Sequence, residues 1–266
     1  MGMNGFYTFV EEGNDGELYR VKKVGYGGNF DFLKREYMVT KSLRGLEGVV
    51  QVVGDIEYDE DDFAFFRMGE VSGLTLEKVL KLSRTKDSDG RIVRNPLSLF
   101  IVRYLTELAY AVQGVHSKKV AHKDLKPNNL MMTPDFSPVI LDFGLADVSD
   151  FVPIRHTVGT PAFMAPEQGK SYHNADQRSD IYALGCIIYH CLTGHQVFPG
   201  NSRKTMLRHV EDLPTNADVI NPLLFPELNA IIMACLEKRP EDRPQTALEL
   251  GDALRDIVRE KLYIPM

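Results

Sequence analysis

The hydrophobic pattern along the chain changes period once, near residue 70, and that change restricts the fold more than any other feature. Before it, apolar residues recur at short, strand-like intervals. "GFYTFVEE" (5–12) and "ELYRVKKV" (17–24) read as two strands joined by "GNDG", whose Asn-Asp-Gly favours positive φ, so a hairpin is expected. "FDFLKREYMVTKSL" (30–43) carries Leu33, Tyr37 and Val39 at helical spacing, and "VVQVVGDIEYDEDDFAFFRMGE" (49–70) reads as two further strands about an acidic turn. From Leu76 onward helical patterns dominate, as in "PLSLFIVRYLTELAYAVQGVHS", "SDIYALGCIIYHCLTG" and "PELNAIIMACLEKR". The polar "SRTKDSDGRIVRNP" (83–96) is expected to be a surface loop between helices. The fold class is therefore α+β and bilobal: a small β-rich lobe with one helix over residues 1–70, then a larger α-helical lobe over 71–266.

With 266 residues, of which 44% are hydrophobic and 26% charged, the chain has enough apolar material for a core in each lobe, which excludes disorder. A formal net charge of −6 argues against a nucleic-acid partner, which would call for a basic face. The three cysteines, Cys186, Cys191 and Cys235, fall within apolar runs, so buried reduced thiols and a reducing, cytoplasmic compartment are expected. No apolar run approaches the roughly 20 residues that span a bilayer, so no membrane span is expected. The N-terminus lacks a basic region followed by an apolar one, and Phe6 stands where N-myristoylation wants Ser or Thr.

The polar selection in "AHKDLKPNNL" (121–130) is unusual: His122, Lys123, Asp124, Lys126 and Asn129 are set in a run with apolar residues and one Pro. Two further segments follow in order, "VILDFGLAD" (139–147) and "GTPAFMAPE" (159–167), with "SDIYALG" and "RPEDRP" downstream. The ordered set resembles the catalytic loop, Asp-Phe-Gly and Ala-Pro-Glu of protein kinases, over essentially the whole chain. "DLKPNN", together with Thr160 before Pro161, is similar to the Ser/Thr type. The resemblance implies a protein kinase-like bilobal fold, ATP and Mg²⁺ as cofactors, and a protein substrate carrying Ser or Thr; it leaves the oligomeric state open. Phosphoryl transfer asks for an in-line hydroxyl, neutralised phosphate oxygens and held metal ions. The resemblance gives Asp124 the substrate hydroxyl and Lys126 a fixed charge on the transferring oxygens, with Asn129 and Asp142 as oxygen ligands of the metal. It also implies that His122 packs beneath Phe143, that Glu167 and Arg243 form a buried pair, that Asp180 holds the catalytic-loop backbone, and that Thr160 bonds both Asp124 and Lys126.

In the first lobe the match is looser. The strand lysine that holds the α- and β-phosphates fits Lys22, with Lys23 as the rival; choosing Lys22 puts Arg20 where the family has a small residue over the adenine. Its ion-pair partner is expected to be Glu36, on a helical face with Leu33 and Thr40. Gly2 and Gly5 would be the second and third glycines of the phosphate loop, with Tyr7 in place of the usual Val; "GYGGNF" (25–30) reads as a connecting turn. Met68, Gly69, Glu70 and Val71 fall at the linker that meets the adenine edge, with Met68 as gatekeeper, and Met131 belongs to the same nucleotide-binding set. Lys123 replaces the usual Arg before the catalytic Asp, and Ser149 and Thr157 are candidate phosphosites. Asn128 and His190 stand where relatives that select Arg before the phosphosite carry acids, so no such selection is expected. The alternatives are an ATP-binding scaffold without activity and a small-molecule phosphotransferase.

Overall fold

The structure, a computed structural model, describes residues 6–13, 15–24, 30–59, 63–83, 85–86, 92–93, 99–148, 160–170 and 175–262. Gly2, Gly5, Ser149, Thr157 and most of "GYGGNF" lie outside them.

The expected hairpin forms: β1 (Phe6–Glu12) pairs antiparallel with β2 (Leu18–Val24), with Arg20 opposite Val10 and Lys22 opposite Thr8. Its turn is closed by the Gly13 N–H, which donates to Glu17 O at 2.8 Å, and Gly16 takes the left-handed φ of +79° that a side chain would resist. After α1 (Phe30–Ser42) come β3 (Val52–Tyr58) and β4 (Ala64–Gly69). The sheet order is β1-β2-β4-β3, and the β3–β4 register slips between Val53 and Glu57, where Gly54 has φ +72°. The face of α1 that carries Leu33, Glu36, Tyr37 and Thr40 is buried, and Leu33 and Tyr37 pack with Val50, Val52, Phe66 and Met68 into the small core.

A linker leads to β5 (Leu74–Thr75) and α2 (Leu76–Leu82). The stretch expected to be a surface loop holds a ribbon, β6 (Thr85–Lys86) paired with β7 (Ile92–Val93). Two-residue strands carry no readable period, so polarity alone suggested a loop. The long α3 (Leu99–Ser117) then leads to β8 (Val120–Ala121), a 3₁₀ turn at Pro127–Asn129, β9 (Leu130–Met132), β10 (Pro138–Ile140) and β11 (Asp147–Val148). The remaining elements are α4 (Pro166–Lys170), α5 (Gln177–Thr193), α6 (Arg203–Glu211), α7 (Ala217–Ile220), α8 (Pro226–Cys235) and α9 (Ala247–Leu262). Helix α5 is buried along nearly its whole length and forms the axis of the large core with Tyr104, Leu108, Leu228 and Leu254. The chain thus has a small antiparallel-sheet lobe and a helical lobe, as its periodicity implied. The three cysteines are free and buried. Among the described residues no helix is long and apolar enough to cross a membrane.

Two backbone contacts position the cleft between the lobes. Val50 N–H donates to Ile140 O at 3.0 Å and Ile140 N–H to Gly48 O at 2.8 Å, so the turn after α1 is tied to the strand that precedes Asp142. At the linker, Gly73 has φ +141°, and a Cβ there would lie 2.2 Å from the Met132 carbonyl oxygen. Gly73→Ala is therefore expected to cost on the order of 2–4 kcal/mol, from a disfavoured backbone region plus a backbone clash. Urea unfolding of the two proteins checks this, and equal midpoints would refute it.

Candidate active site

The segment between β8 and β9 is irregular, so its backbone groups need partners from elsewhere. Asp180, buried within the first turn of α5, supplies them: its carboxylate accepts the N–H groups of His122 and Lys123, each at 2.8 Å, and lies 2.9 Å from His116 Nε2. Burial alone would raise the Asp180 pKa, and the hydrogen bond and charge at His116 reverse this, holding the carboxyl below the ordinary range. The grip lets Lys123 adopt a left-handed φ of +60°. His122 accepts the Asp124 N–H at Nδ1 (3.2 Å), so Nε2 is the nitrogen that donates to Leu141 O at 3.0 Å. Its ring centroid lies 4.9 Å from that of Phe143, the contact expected of it.

The Asp124 carboxylate is then surrounded. Lys126 Nζ donates to Oδ2 at 2.6 Å, and Asn129 Nδ2 donates to the same oxygen at 3.1 Å and to the Asp124 carbonyl at 3.0 Å. Thr160 donates its N–H and its hydroxyl to Oδ1, at 3.2 and 3.3 Å. The expected second bond, from Thr160 to Lys126, is not made: the lysine is drawn fully onto the other carboxylate oxygen. Because both partners of Asn129 are acceptors, Nδ2 must face them, which leaves Oδ1 without a hydrogen bond among the described residues.

Across the cleft Lys22 Nζ lies 2.7 Å from Glu36 Oε1 and 3.4 Å from Asp142 Oδ1. Asp142 has φ +59°, and its Oδ1 also accepts the Gly144 N–H at 3.3 Å, while Oδ2 accepts nothing among the described residues. Burial opposes the Asp142 charge, but Lys22, with His122 and the Gly144 N–H, outweighs it and keeps the carboxyl below its ordinary range. Glu36 differs: burial, reinforced by Asp142, pushes its pKa from 4.5 up to about 7 against the pull of Lys22. Burial likewise works against the Lys22 charge, yet the two carboxylates raise its pKa overall. An unbonded neutral oxygen on Asn129 and an unbonded charged one on Asp142 form a donor set that suits Mg²⁺, which shares its remaining positions with waters and phosphate oxygens.

The other expected positions fall at the edges of this arrangement. Met68, next to last in β4, packs in the small core, with Val71 also against it, and the Val71 N–H has no partner among the described residues. Met131 is buried in β9, paired with Val139, which packs against that same core. Glu70 turns its carboxylate to Arg20, which donates to it from Nε (3.1 Å) and Nη2 (3.0 Å). Below the cleft, Arg243 meets Glu167 through two bonds of 2.8 Å each, and it also donates to the carbonyls of Glu237, Arg178 and Lys238. His190 is buried and stacked toward Phe163, so it lines no surface that could meet a substrate.

Two contributors escaped the sequence reading. Arg35, beside Glu36, donates from Nη2 to Ala146 O at 2.7 Å and so links α1 to the chain after Asp-Phe-Gly. Gln168, just after Ala-Pro-Glu, accepts the Ala165 N–H and donates to Lys123 O, each at 2.9 Å. Only their adjacency to motif residues could have marked them.

The family model that matches the chain is that of the protein kinase domain, over residues 7–253. A probable serine/threonine-protein kinase of Clostridium acetobutylicum is 32% identical over 194 residues, covering 71% of this chain and 28% of that protein. The DNA damage-responsive serine/threonine-protein kinase RqkA of Deinococcus radiodurans is 35% identical over 215 residues (77% and 30%). Serine/threonine-protein kinase PknB of Mycolicibacterium smegmatis is 30% identical over 209 residues (76% and 32%). The matched part of the chain thus spans about three-tenths of the length of these curated relatives.

The Glu36 shift sets a pH dependence. The folded chain holds the Glu36 proton up to about pH 7, whereas the unfolded chain releases it near 4.5. Within that window the folded state binds more protons, so stability falls as pH rises. Relative to Glu36→Gln, the wild type is expected to lose on the order of 1 kcal/mol per pH unit between pH 5 and 7 and to level off above. Urea titrations of both proteins at pH 5, 6, 7 and 8 measure this; a wild-type advantage that grows with pH would contradict it.

Proposed function

Because the chain belongs to the protein kinase domain family, we propose that it is a protein serine/threonine kinase that moves the γ-phosphoryl group of ATP to a Ser or Thr hydroxyl of a protein substrate. The observation that carries this reading is the Asp124 carboxylate, which lies within hydrogen-bond reach of Lys126, Asn129 and Thr160. Asp124 would accept the hydroxyl proton and aim the oxygen at the γ-phosphorus; the bond to the β-phosphate oxygen breaks and ADP leaves. Lys126 would pass from the carboxylate to the transferring phosphoryl oxygens, where a fixed positive charge is needed as charge builds. Lys22, steadied by Glu36, would hold the α- and β-phosphates, and Gly2 and Gly5 would contribute backbone to the same end of the nucleotide. Met68, Glu70, Val71 and Met131 would bound the base, with the Val71 N–H, which has no partner among the described residues, as its donor. Asn129 and Asp142 would hold Mg²⁺, which supplies charge neutralisation between the phosphates when bound.

The relatives named as serine/threonine kinases support the choice of hydroxyl, and the segment from Thr160 to Pro166, anchored by Glu167 and Arg243, supports a protein rather than a small acceptor. The buried free thiols favour a reducing compartment, the cytoplasm, as the place of action.

Asp124→Asn is expected to leave folding and ATP binding nearly intact while lowering kcat by at least ~10²-fold, since the lost carboxylate serves the reacting hydroxyl. Asp142→Ala is expected to abolish the Mg²⁺-dependent part of nucleotide binding. Radiolabelled transfer to a generic basic protein, with calorimetric titration of ATP, measures both. Normal turnover by Asp124→Asn would remove the assignment.

A further inference from the structure

Arg20 presents a difficulty that its surroundings resolve. It pairs with Met68 across β2 and β4 as Lys22 pairs with Phe66, so Arg20 and Lys22 emerge on one face of the sheet. A strand rises about 3.3 Å per residue, which sets the two Cα atoms roughly 7 Å apart, with Arg20 on the linker side. This is the step from the phosphate end of the cleft to its base end, on the reading of the site proposed above, on which this inference rests. A free guanidinium there would fill an apolar slot with charge.

The guanidinium is not free. Glu70, on the linker, takes Nε at 3.1 Å and Nη2 at 3.0 Å in two side-by-side bonds, and both side chains are about three-quarters buried (27% and 21% exposed). Two parallel bonds fix the plane of the fork as well as its position, which a single contact would not do. Among the described residues the Arg20 side chain has no other ion-pair or hydrogen-bond partner, so this carboxylate decides where the head group lies.

We propose that Glu70 is a positioning residue for nucleotide binding: its carboxylate draws the Arg20 guanidinium to the linker and keeps the base slot open. Removing the carboxylate releases a partly buried cation into the cleft, where it competes with the base for the same space. Removing the arginine as well leaves nothing to hold back. The two residues therefore act on nucleotide affinity as a unit, with opposite signs.

The test is a double-mutant cycle read by calorimetric titration of Mg²⁺·ATP, with circular dichroism melts to show that each variant folds. Glu70→Ala is expected to raise the dissociation constant about tenfold, Arg20→Ala to bind at least as tightly as wild type, and the double variant to return to within about twofold of Arg20→Ala. A role of Glu70 in fold stability alone would not give that rescue. Unchanged affinity in Glu70→Ala, a double variant as weak as Glu70→Ala, or weakened binding in Arg20→Ala would each overturn the inference. A wild-type protein that binds no nucleotide would sink the reading of the cleft and this inference with it, whereas a nucleotide-binding wild type without the rescue sinks the inference alone.

Discussion

The buried carboxylate of Asp180 is the constraint on which the site depends. Placing a charge inside a helix that is buried along nearly its whole length is unfavourable unless donors converge on it, and here His116 and two consecutive backbone N–H groups do. Those two amides belong to His122 and Lys123, so satisfying Asp180 fixes the backbone immediately before Asp124. The positive φ of Lys123 is a local cost that this anchoring sustains. Once Asp124 is placed, Asn129 and Lys126 find it within reach, and His122 links the loop to the chain around Phe143.

Two further charge pairs carry this placement outward in opposite directions. Glu167 and Arg243 lie beneath it: the arginine spends every remaining donor on backbone carbonyls and stacks against Tyr182 at 4.9 Å, so the pair braces the segment from Thr160 onward against the helical core. Lys22 and Glu36 lie above it, in the small lobe, and their ties to the large lobe include the Lys22 contact to Asp142 and the Arg35 contact to Ala146. The lower brace is bidentate and satisfied on all sides. The upper one has two carboxylates sharing one lysine, with burial pushing the Glu36 carboxyl up to about 7. The cleft is thus more firmly built on its large-lobe side.

The parts legible in the sequence were those in which a residue type answers a local need. The hairpin follows from a turn sequence and period-two strands, the helices from apolar spacing, and the Asp180 and His122 contacts from motif order. Interactions set by side-chain direction across the fold were not legible. Strand alternation put Arg20 in the cleft, but no sequence rule reports that a linker glutamate fifty positions away would take it up. Arg35 carried no signal of its own, because it reaches across to a backbone carbonyl, which leaves no mark in a sequence. The missing Thr160–Lys126 bond has the same origin: residue types permit it, and the competition for Asp124 decides against it.

That competition also bears on how a substrate would enter. Two donors face each oxygen of the Asp124 carboxylate, so an incoming hydroxyl would have to replace one. The Oδ2 bonds include a charge-assisted contact of 2.6 Å from Lys126, whereas those on Oδ1 come from the neutral Thr160 at 3.2 and 3.3 Å. Charged donors hold more strongly than neutral ones at such distances, so Oδ1 is the oxygen more easily vacated. In the proposed reaction the hydroxyl would approach from the Thr160 side, the side on which the braced segment would present a protein substrate. Lys126 could leave Oδ2 only when phosphate oxygens offer it a better partner. In the proposed reaction relative bond strengths would then set the order of events: nucleotide would draw the lysine away, and the carboxylate it leaves behind would become a stronger acceptor for the hydroxyl proton.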